Sequence, residues 1–308
     1  MLPHPFPMRL MSGGANAPLA HAIAKDLEVD LVPADVSTFA DGETFVEIKR
    51  NVRECTVFIV QPTSPPVNDR LIALALLTDA ARRAGAARVV ALAPYFGYAR
   101  QERRMRIGQA CSARIVSQLL GSVGLDHLVT LDVHAPALES AFPMSTTLLD
   151  ADALFLPFVC RWGMPECVVV APDAGAVKRA QRMAAALDTS VAVVTKQRER
   201  PDAAEPQHVL GTVRGRTCLL VDDLVSTART LAGAAEALMR AGARGVNAVF
   251  THAVMAPGAL DRLLAAPIQR FATSDSVAPL HADPRIEVVS TAPVLAETVR
   301  QLMSGTSD

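Results

Sequence analysis

Two adjacent carboxylates, Asp222 and Asp223, follow an apolar run at residues 218–221 and precede the small and hydroxyl residues of segment 226–230. An alanine-rich stretch typical of a helix comes next. Carboxylates accept hydrogen bonds from vicinal sugar hydroxyls or attract a cation, whereas free backbone N–H groups at a helix N-terminus bind phosphate. The segment therefore favours a sugar phosphate as ligand. The alternative is that Asp222, Asp223 and Ser226 serve only as turn and helix-cap residues.

Several other short apolar runs are also followed by residues that can do chemistry. The carboxyl ends of parallel strands meet at one edge of a sheet, where ligands bind. Taken singly, each residue has a plainer interpretation, either a buried histidine with satisfied hydrogen bonds or a charge run that faces solvent. Their shared placement favours a functional role for the set, whose members include His134, Asp173, Lys196 and Arg198.

Short β-branched runs alternate with longer stretches rich in alanine and leucine along most of the chain. Strands of about five residues between helices of about a dozen predict βαβ units and mainly parallel sheets, an α/β fold. A length of 308 residues suits two domains. The predicted strands are 56–60, 89–93, 128–131, 167–171, 191–195, 217–221, 246–251 and 286–290, and the predicted helices are 69–84, 112–123, 176–187, 230–241 and 257–266.

Three segments have a special place in this pattern. Residues 144–150 are expected to separate two half-sets of βαβ units, and residues 198–208, which are charged and contain two prolines, are expected to form an exposed loop. The helix around residues 71–77 is apolar nearly all round, so it must be covered on several sides. Burial within its own domain and burial in a subunit interface both meet that requirement.

The composition excludes several classes of partner. The formal net charge is −1 and 4% of the residues are aromatic, so the sequence favours neither a phosphate backbone nor a base-stacking ligand. The five cysteines lack the C-x-x-C spacing of a zinc site. The sequence shows neither a secretory signal nor an apolar run of membrane-spanning length, which predicts a cytoplasmic protein without nucleic-acid or membrane partners.

Longer motifs occur in the order in which one protein family has them. The matching segments are residues 12–16 (SGGAN), 39–43 (FADGE), 61–69 (QPTSPPVND), 94–103 (PYFGYARQER), 131–135 (LDVHA), 172–175 (PDAG) and 251–252 (TH). With these motifs and the acidic segment, the chain resembles the ribose-phosphate diphosphokinase (PRPP synthase) family, which has a phosphoribosyltransferase-type fold. The resemblance spans most of the chain.

The resemblance implies transfer of the diphosphoryl group of ATP to the C1 hydroxyl of ribose 5-phosphate, with Mg²⁺ as cofactor and AMP as the second product. It also implies two phosphoribosyltransferase-like domains, each a mainly parallel sheet flanked by helices. Residues 1–148 would bind ATP and mediate assembly, and residues 149–308 would bind ribose 5-phosphate and carry a catalytic loop near 196–208. A homo-oligomer built from dimers, such as a hexamer, is expected because the family's adenine-binding loop reaches a neighbouring subunit.

The family's roles carry over to the matching positions of this chain. The positions that match ATP contacts are Phe39, Asp41, Gly42, Glu43, Arg100 and Gln101. The positions that match ribose 5-phosphate contacts are Asp222, Asp223, Ser226, Thr227, Ala228, Arg229 and Thr230. Metal binding is implied for His134 and Asp173, and catalysis for the basic pair Lys196 and Arg198.

The chain departs from the family's usual D-D-x-x-D-T-[AG]-G-T pattern. Ser226 replaces the third acid and Arg229 replaces the second glycine, while Gln197 replaces an arginine in the basic stretch. If position 229 needs a left-handed backbone, a side chain there costs about 1–2 kcal/mol. A guanidinium beside a phosphate contributes roughly 1.5–3 kcal/mol in the other direction. The sequence leaves open which of these two effects of Arg229 is larger.

Two other functions stay open from the sequence. A weakly catalytic regulatory homologue, which binds nucleotide and assembles with an active synthase, would account for Arg229 and Gln197. A base-transferring phosphoribosyltransferase would share the acidic segment but would not need the segments at 39–43 and 94–103.

Overall fold

A computed structural model describes residues 6–133, 136–196, 207–278 and 283–305. The strands are β1 (Met8–Ser12), β2 (Leu31–Val32), β3 (Ala34–Thr38), β4 (Thr44–Ile48), β5 (Thr56–Val60), β6 (Arg88–Leu92), β7 (His127–Leu131), β8 (Ser145–Leu149), β9 (Cys167–Ala171), β10 (Ser190–Lys196), β11 (Gln207–Leu210), β12 (Thr217–Val225), β13 (Gly245–Ala253), β14 (Phe271–Ser274) and β15 (Ile286–Val289). The helices are α1 (Ala17–Asp26), α2 (Val67–Arg83), α3 (Ser112–Ser122), α4 (Asp152–Arg161), α5 (Val177–Ala186), α6 (Arg229–Arg240), α7 (Ala259–Ala265) and α8 (Ala292–Ser304).

The described residues fall into two compact units. The first unit contains residues 6–149, 276–278 and 290–305. Its sheet has the order β2-β1-β5-β6-β7-β8, with every neighbouring pair parallel, and β3 and β4 form a separate antiparallel hairpin. The fully buried β5, with Phe58 and Ile59 at 0% exposure, lies in the interior of this sheet and belongs to the core of the unit.

The second unit contains the described parts of residues 150–275 together with 283–289. Its sheet has the order β11-β10-β9-β12-β13-β14-β15, and among these pairs only β10–β11 is antiparallel. Leu231 and Leu238 of α6 pack into the core formed with β12 and β13. Each such buried leucine stabilises the unit by about 1.5–3 kcal/mol. The two mainly parallel sheets confirm the predicted α/β class.

Two segments contain more strand structure than the prediction gave them. The segment at residues 144–150 contains β8 (Ser145–Leu149), paired in parallel with β7, and the first unit gives way to the second at its end, between Leu149 and Asp150. The strand predicted at 217–221 continues to Val225, so Asp222 and Asp223 lie within β12 and not after it. The reason is that β13 runs beside β12 as far as Ala253, and its ladder extends the strand through polar residues of low strand propensity.

The apolar helix predicted around residues 71–77 lies within α2. Leu71, Leu74 and Leu77 are buried inside the first unit, whereas Ile72 and Leu76 are 44% and 37% exposed. Its own unit therefore covers most of this helix but not all of it. Although α2 has 17 residues, the described helices include none that is long and apolar enough to cross a membrane.

Candidate active site

The acid pair lies where β12 projects beyond its neighbour. The pairing of β12 with β9 ends at Leu220, whereas its pairing with β13 continues to Val225. Asp222 and Asp223 therefore stand at the carboxyl end of the sheet, beside the loop that follows β9, and both are half-buried. This is the edge at which parallel sheets bind ligands.

The two carboxyl groups of the pair interact directly. The backbone N–H of Asp223 donates to Asp222 Oδ1 at 2.9 Å, and the two side chains lie close enough for each to affect the charge of the other. Burial, and then the charges of Asp223 and Asp173, raise the pKa of Asp222 to about 8. A ligand that supplies hydroxyl donors or a cation would relieve this repulsion between carboxylates.

Asp173 contributes the third carboxylate at this edge. It lies two residues after the end of β9, and its Oδ1 accepts hydrogen bonds from the N–H groups of Gly175 at 2.9 Å and Ala176 at 3.3 Å. These bonds fix the Asp173 side chain at the start of α5, close enough for its charge to act on Asp222.

The loop between β12 and α6 exposes N–H groups. Ala228, with φ 59° and ψ 2°, is the N-cap of α6, and no side chain caps the helix. Two carbonyl groups of this loop are held by hydrogen bonds. Ser226 O accepts from the Ala256 N–H at 2.9 Å, and Thr227 O accepts from Arg262 Nη1 at 2.5 Å. Within the described residues, the N–H groups of Thr227 and Ala228 have no hydrogen-bond partner.

This geometry contradicts the simple cap interpretation of Ser226, because the residue at the cap position is Ala228 and it caps through no side chain. Uncapped N–H groups at the positive end of a helix form a binding site for an anion. This candidate anion site is separated from the acid pair by residues 224–226, and the order of the two along the chain is one that suits a sugar phosphate.

In the first unit, the tip of the β3–β4 hairpin carries four of the candidate ATP contacts. Gly42 has φ 95°, which glycine adopts without strain, and the turn is closed by the Phe39 N–H donating to Glu43 O at 2.8 Å. The Glu43 N–H in turn donates to Asp41 Oδ1 at 3.2 Å. Phe39 is 54% exposed and packs edge-on against Phe45, with ring centroids 5.6 Å apart. An exposed aromatic face of this kind can stack on a nucleobase.

Arg100 and Gln101 lie in a short 3₁₀ turn, Ala99–Gln101, and both are exposed. The turn is fixed to the preceding loop at Gly97, where a Cβ would come within 2.9 Å of the Thr63 carbonyl. Gln101 Oε1 accepts a hydrogen bond from Ser112 Oγ at 2.7 Å. This exposure fits a nucleotide contact, and it fits equally a charged turn that faces solvent.

The remaining predicted site residues are only partly within the described chain. Lys196 is the last residue of β10, in register with Gln207 of β11, and its side chain is not described. His134, Arg198 and most of the predicted loop at 198–208 lie outside the described residues.

The residues present fit a magnesium ion that is shared with a substrate. Mg²⁺ prefers oxygen ligands and keeps several waters or phosphate oxygens, and Asp173, Asp222 and Asp223 place carboxylates at one sheet edge. The described residues contain no set of three His, Cys, Asp or Glu side chains arranged to hold a metal by themselves. Substrate oxygens and water would therefore complete the coordination.

Comparison with known proteins identifies the family. The profile for the N-terminal domain of ribose phosphate pyrophosphokinase matches residues 8–124, and the phosphoribosyl transferase domain matches residues 163–266. The ribose-phosphate pyrophosphokinase of Agrobacterium fabrum is 41% identical over 298 residues, which cover 96% of both chains. The protein of the same name from Burkholderia pseudomallei is 39% identical over 305 residues, covering 97% of this chain and 96% of the relative. The chain belongs to the ribose-phosphate pyrophosphokinase family.

A solved structure supports the same assignment. The crystal structure of phosphoribosylpyrophosphate synthetase from Mycobacterium smegmatis superimposes with a TM-score of 0.92 at 31% identity, covering 97% of this chain and all of that one (100%). The family, the phosphoribosyltransferase-type fold and the pyrophosphokinase class inferred from the sequence are thereby confirmed.

Structural residues of this pyrophosphokinase were missed in the sequence. Arg262, which binds the Thr227 carbonyl, has no sequence signal that distinguishes it from a surface arginine. Asp152 binds both Arg179, with Nη1 at 2.7 Å, and Arg182, with Nη2 at 2.6 Å. The spacing of the two arginines, three apart on α5, places them on one helix face and was a usable signal.

The raised pKa of Asp222 makes stability depend on pH. An aspartate titrates near 3.8 in the unfolded chain and at about 8 here, so between these values the folded protein keeps a proton that the unfolded chain has lost. The free energy of unfolding therefore falls as the pH rises through this range. We expect Asp222→Asn, which lacks this decline, to gain stability over the native protein as the pH rises.

The measurement is urea unfolding of both proteins, free of metal and substrate, at pH 5 and pH 8. The stability difference in favour of the variant should be larger at pH 8. An equal difference at both pH values would contradict the assignment of the raised pKa to Asp222.

Proposed function

We propose that the chain transfers the diphosphoryl group of ATP to the C1 hydroxyl of ribose 5-phosphate, giving PRPP and AMP for nucleotide biosynthesis. The observation that carries the proposal is the uncapped N-terminus of α6, which follows the acid pair of β12 on the same segment. It offers a phosphate site and two hydroxyl acceptors on one segment, in a chain whose relatives are ribose-phosphate pyrophosphokinases.

The β12–α6 loop holds the sugar substrate. Asp222 and Asp223 accept hydrogen bonds from the vicinal ribose hydroxyls, and the N–H groups from Ser226 to Thr230 surround the 5-phosphate. Two anchors at opposite ends of the ribose fix the direction of C1. The C1 oxygen attacks the β-phosphorus of ATP, the bond from that phosphorus to the α–β bridging oxygen breaks, and AMP leaves with the electron pair while the hydroxyl proton passes to solvent.

Positioning and charge neutralisation account for catalysis in such a transfer. Asp173 and His134 are proposed to hold Mg²⁺, which would supply positive charge that offsets the charge of the phosphate groups. Lys196 and Arg198 are proposed to contact the diphosphoryl group as its charge is redistributed. The described order of the strands supports this, since β10, which ends at Lys196, is the neighbour of β9, which leads to Asp173.

ATP is proposed to bind through the hairpin tip at Phe39, Asp41, Gly42 and Glu43, and through Arg100 and Gln101. The exposure of this tip supports a role toward a neighbouring subunit. The exposed Ile72 and Leu76 on α2 support a dimer-based homo-oligomer, with a hexamer as one form. A cytoplasmic location is proposed from the family to which the chain belongs.

The proposal is tested by AMP release that depends on ribose 5-phosphate. With ATP and Mg²⁺ present, ribose 5-phosphate should start AMP formation and unphosphorylated ribose should not. Retained nucleotide binding without AMP release, at any phosphate or Mg²⁺ concentration, would favour the regulatory homologue. Consumption of PRPP on addition of a free base would favour the base-transferring enzyme.

Lys196→Ala is expected to lower kcat by roughly a hundred- to a thousandfold, because a preorganised charge on the transferred group acts mainly in the transition state. Steady-state kinetics with both substrates should show KM values within about threefold of native. Lys25→Ala, at an exposed position of α1, is the matched control and should keep native kcat. A rise in KM for ribose 5-phosphate at unchanged kcat would assign Lys196 to substrate binding instead.

A further inference from the structure

Arg229 stands where the family pattern has a glycine, and the backbone there is ordinary. The left-handed residue of the loop is Ala228, with φ 59°, whereas Arg229 has no positive φ and begins α6. The arginine therefore adds no left-handed strain, and its effect depends on its side chain.

The Arg229 side chain starts from a position that faces the anion site. In an α-helix each Cα–Cβ bond tilts toward the N-terminus, so the Cβ of Arg229 is directed toward the end of α6 where the N–H groups of Thr227 and Ala228 lie. The residue is exposed, and within the described residues its guanidinium makes no ion pair or hydrogen bond. Arg240, at the other end of α6, instead pairs with Glu236 at 3.7 Å.

The distribution of charge along the loop also favours a contact between Arg229 and a phosphate. Relative to the usual pattern, Ser226 removes one negative charge and Arg229 adds one positive charge. The acids of β12 stay at one end of the segment and the new cation lies at the other. A ligand with hydroxyls at one end and a dianion at the other matches this division of charge.

We infer that the Arg229 guanidinium binds the 5-phosphate of the sugar substrate directly, in addition to the backbone N–H groups. This rests on the proposed sugar-phosphate site. A charge-assisted contact of this kind raises affinity for the phosphorylated sugar and makes its binding more sensitive to salt.

Arg229→Gln removes the charge and leaves a shorter polar side chain. We expect the dissociation constant of ribose 5-phosphate, measured by calorimetry, to rise about ten- to a hundredfold, and the loss of affinity between 50 and 300 mM salt to become smaller (order of magnitude from the strength of a charged hydrogen bond). Arg229→Lys should recover part of the affinity. The control is Arg244→Gln, an exposed arginine before β13 at the opposite sheet edge, which should bind like the native protein.

Unchanged affinity and salt dependence in Arg229→Gln would overturn the inference, and so would tighter binding by Arg229→Gly. Because calorimetry follows binding alone, the test is separate from that of the proposed reaction. If the native protein binds ribose 5-phosphate but releases no AMP, the proposed reaction is excluded. The calorimetry then still shows whether Arg229 binds the 5-phosphate. If the native protein binds no ribose 5-phosphate, both fail.

Discussion

Asp222→Asn is expected to lower kcat/KM for ribose 5-phosphate by about a hundredfold or more. Each charge-assisted hydrogen bond that a sugar hydroxyl donates to a carboxylate contributes about 1.5–3 kcal/mol, and every 1.4 kcal/mol is about tenfold. The asparagine keeps one acceptor oxygen but loses the charge and presents N–H donors to hydroxyls and metal alike. Initial rates of AMP release at varied ribose 5-phosphate give the value directly.

The matched control is Asp188→Asn, an exposed aspartate in the turn before β10, at the amino end of the sheet. It should keep native kcat/KM. Because Asp222→Asn is also expected to stabilise the protein at high pH, lost activity together with retained stability would mark a functional defect. Native kcat/KM in Asp222→Asn would remove the acid pair from the sugar site.

Asp152→Asn is expected to lower the free energy of unfolding by about 3–5 kcal/mol, because breaking a buried ion pair leaves a charge without its partner. The side chains of Asp152 and Arg179 are 12% and 11% exposed, and Arg179 Nη1 also lies 3.3 Å from Thr251 Oγ1. Asp152 thus ties α4 to α5 and, through Arg179, to β13. These elements support the Asp173 loop and the strand beside the acid pair.

Asp150→Asn provides a control within the same turn. Its carboxylate pairs with Arg182 at 3.2 Å, but the two side chains are 53% and 50% exposed, and an exposed pair contributes at most about 1 kcal/mol. The asparagine also keeps the Oδ1 that accepts the Asp152 N–H. Urea unfolding of both variants should separate them by at least about 2 kcal/mol. Equal losses would mean that Asp152 acts only as an acid in the first turn of α4.

Local sequence signals predicted the parts of the fold that are locally determined. The apolar runs that became β5, β9 and β13 are buried strands, and their alternation with helices gave the α/β class. The β3–β4 hairpin was missed because its strands alternate between half-buried and exposed residues and lack an apolar run. Strand β8 was missed because its sequence, STTLL, is half-buried or exposed and lacks a long apolar run.

The candidate site was likewise predicted in part, where the signal lies in local residue types. The acid pair, Asp173 and the phosphate loop were found from residue types at strand ends, which the sheet then brings to one edge. The position of the left-handed residue was not predicted from the sequence. Sequence comparison drew attention to position 229, but the backbone places the positive φ at Ala228. The helix start and the contacts that hold the Ser226 and Thr227 carbonyls determine which residue of this tight loop adopts a positive φ.

The most direct test is ³¹P NMR of a reaction mixture of ATP, ribose 5-phosphate, Mg²⁺ and the full chain. The expected result is the appearance of AMP and of the diphosphate signals of PRPP at equal rates, with ribose 5-phosphate consumed at the same rate. Formation of ADP and a ribose bisphosphate would show that a single phosphoryl group is transferred. Formation of AMP with free diphosphate would show that water is the acceptor. Either result would contradict diphosphoryl transfer to the sugar that the β12–α6 loop is proposed to hold.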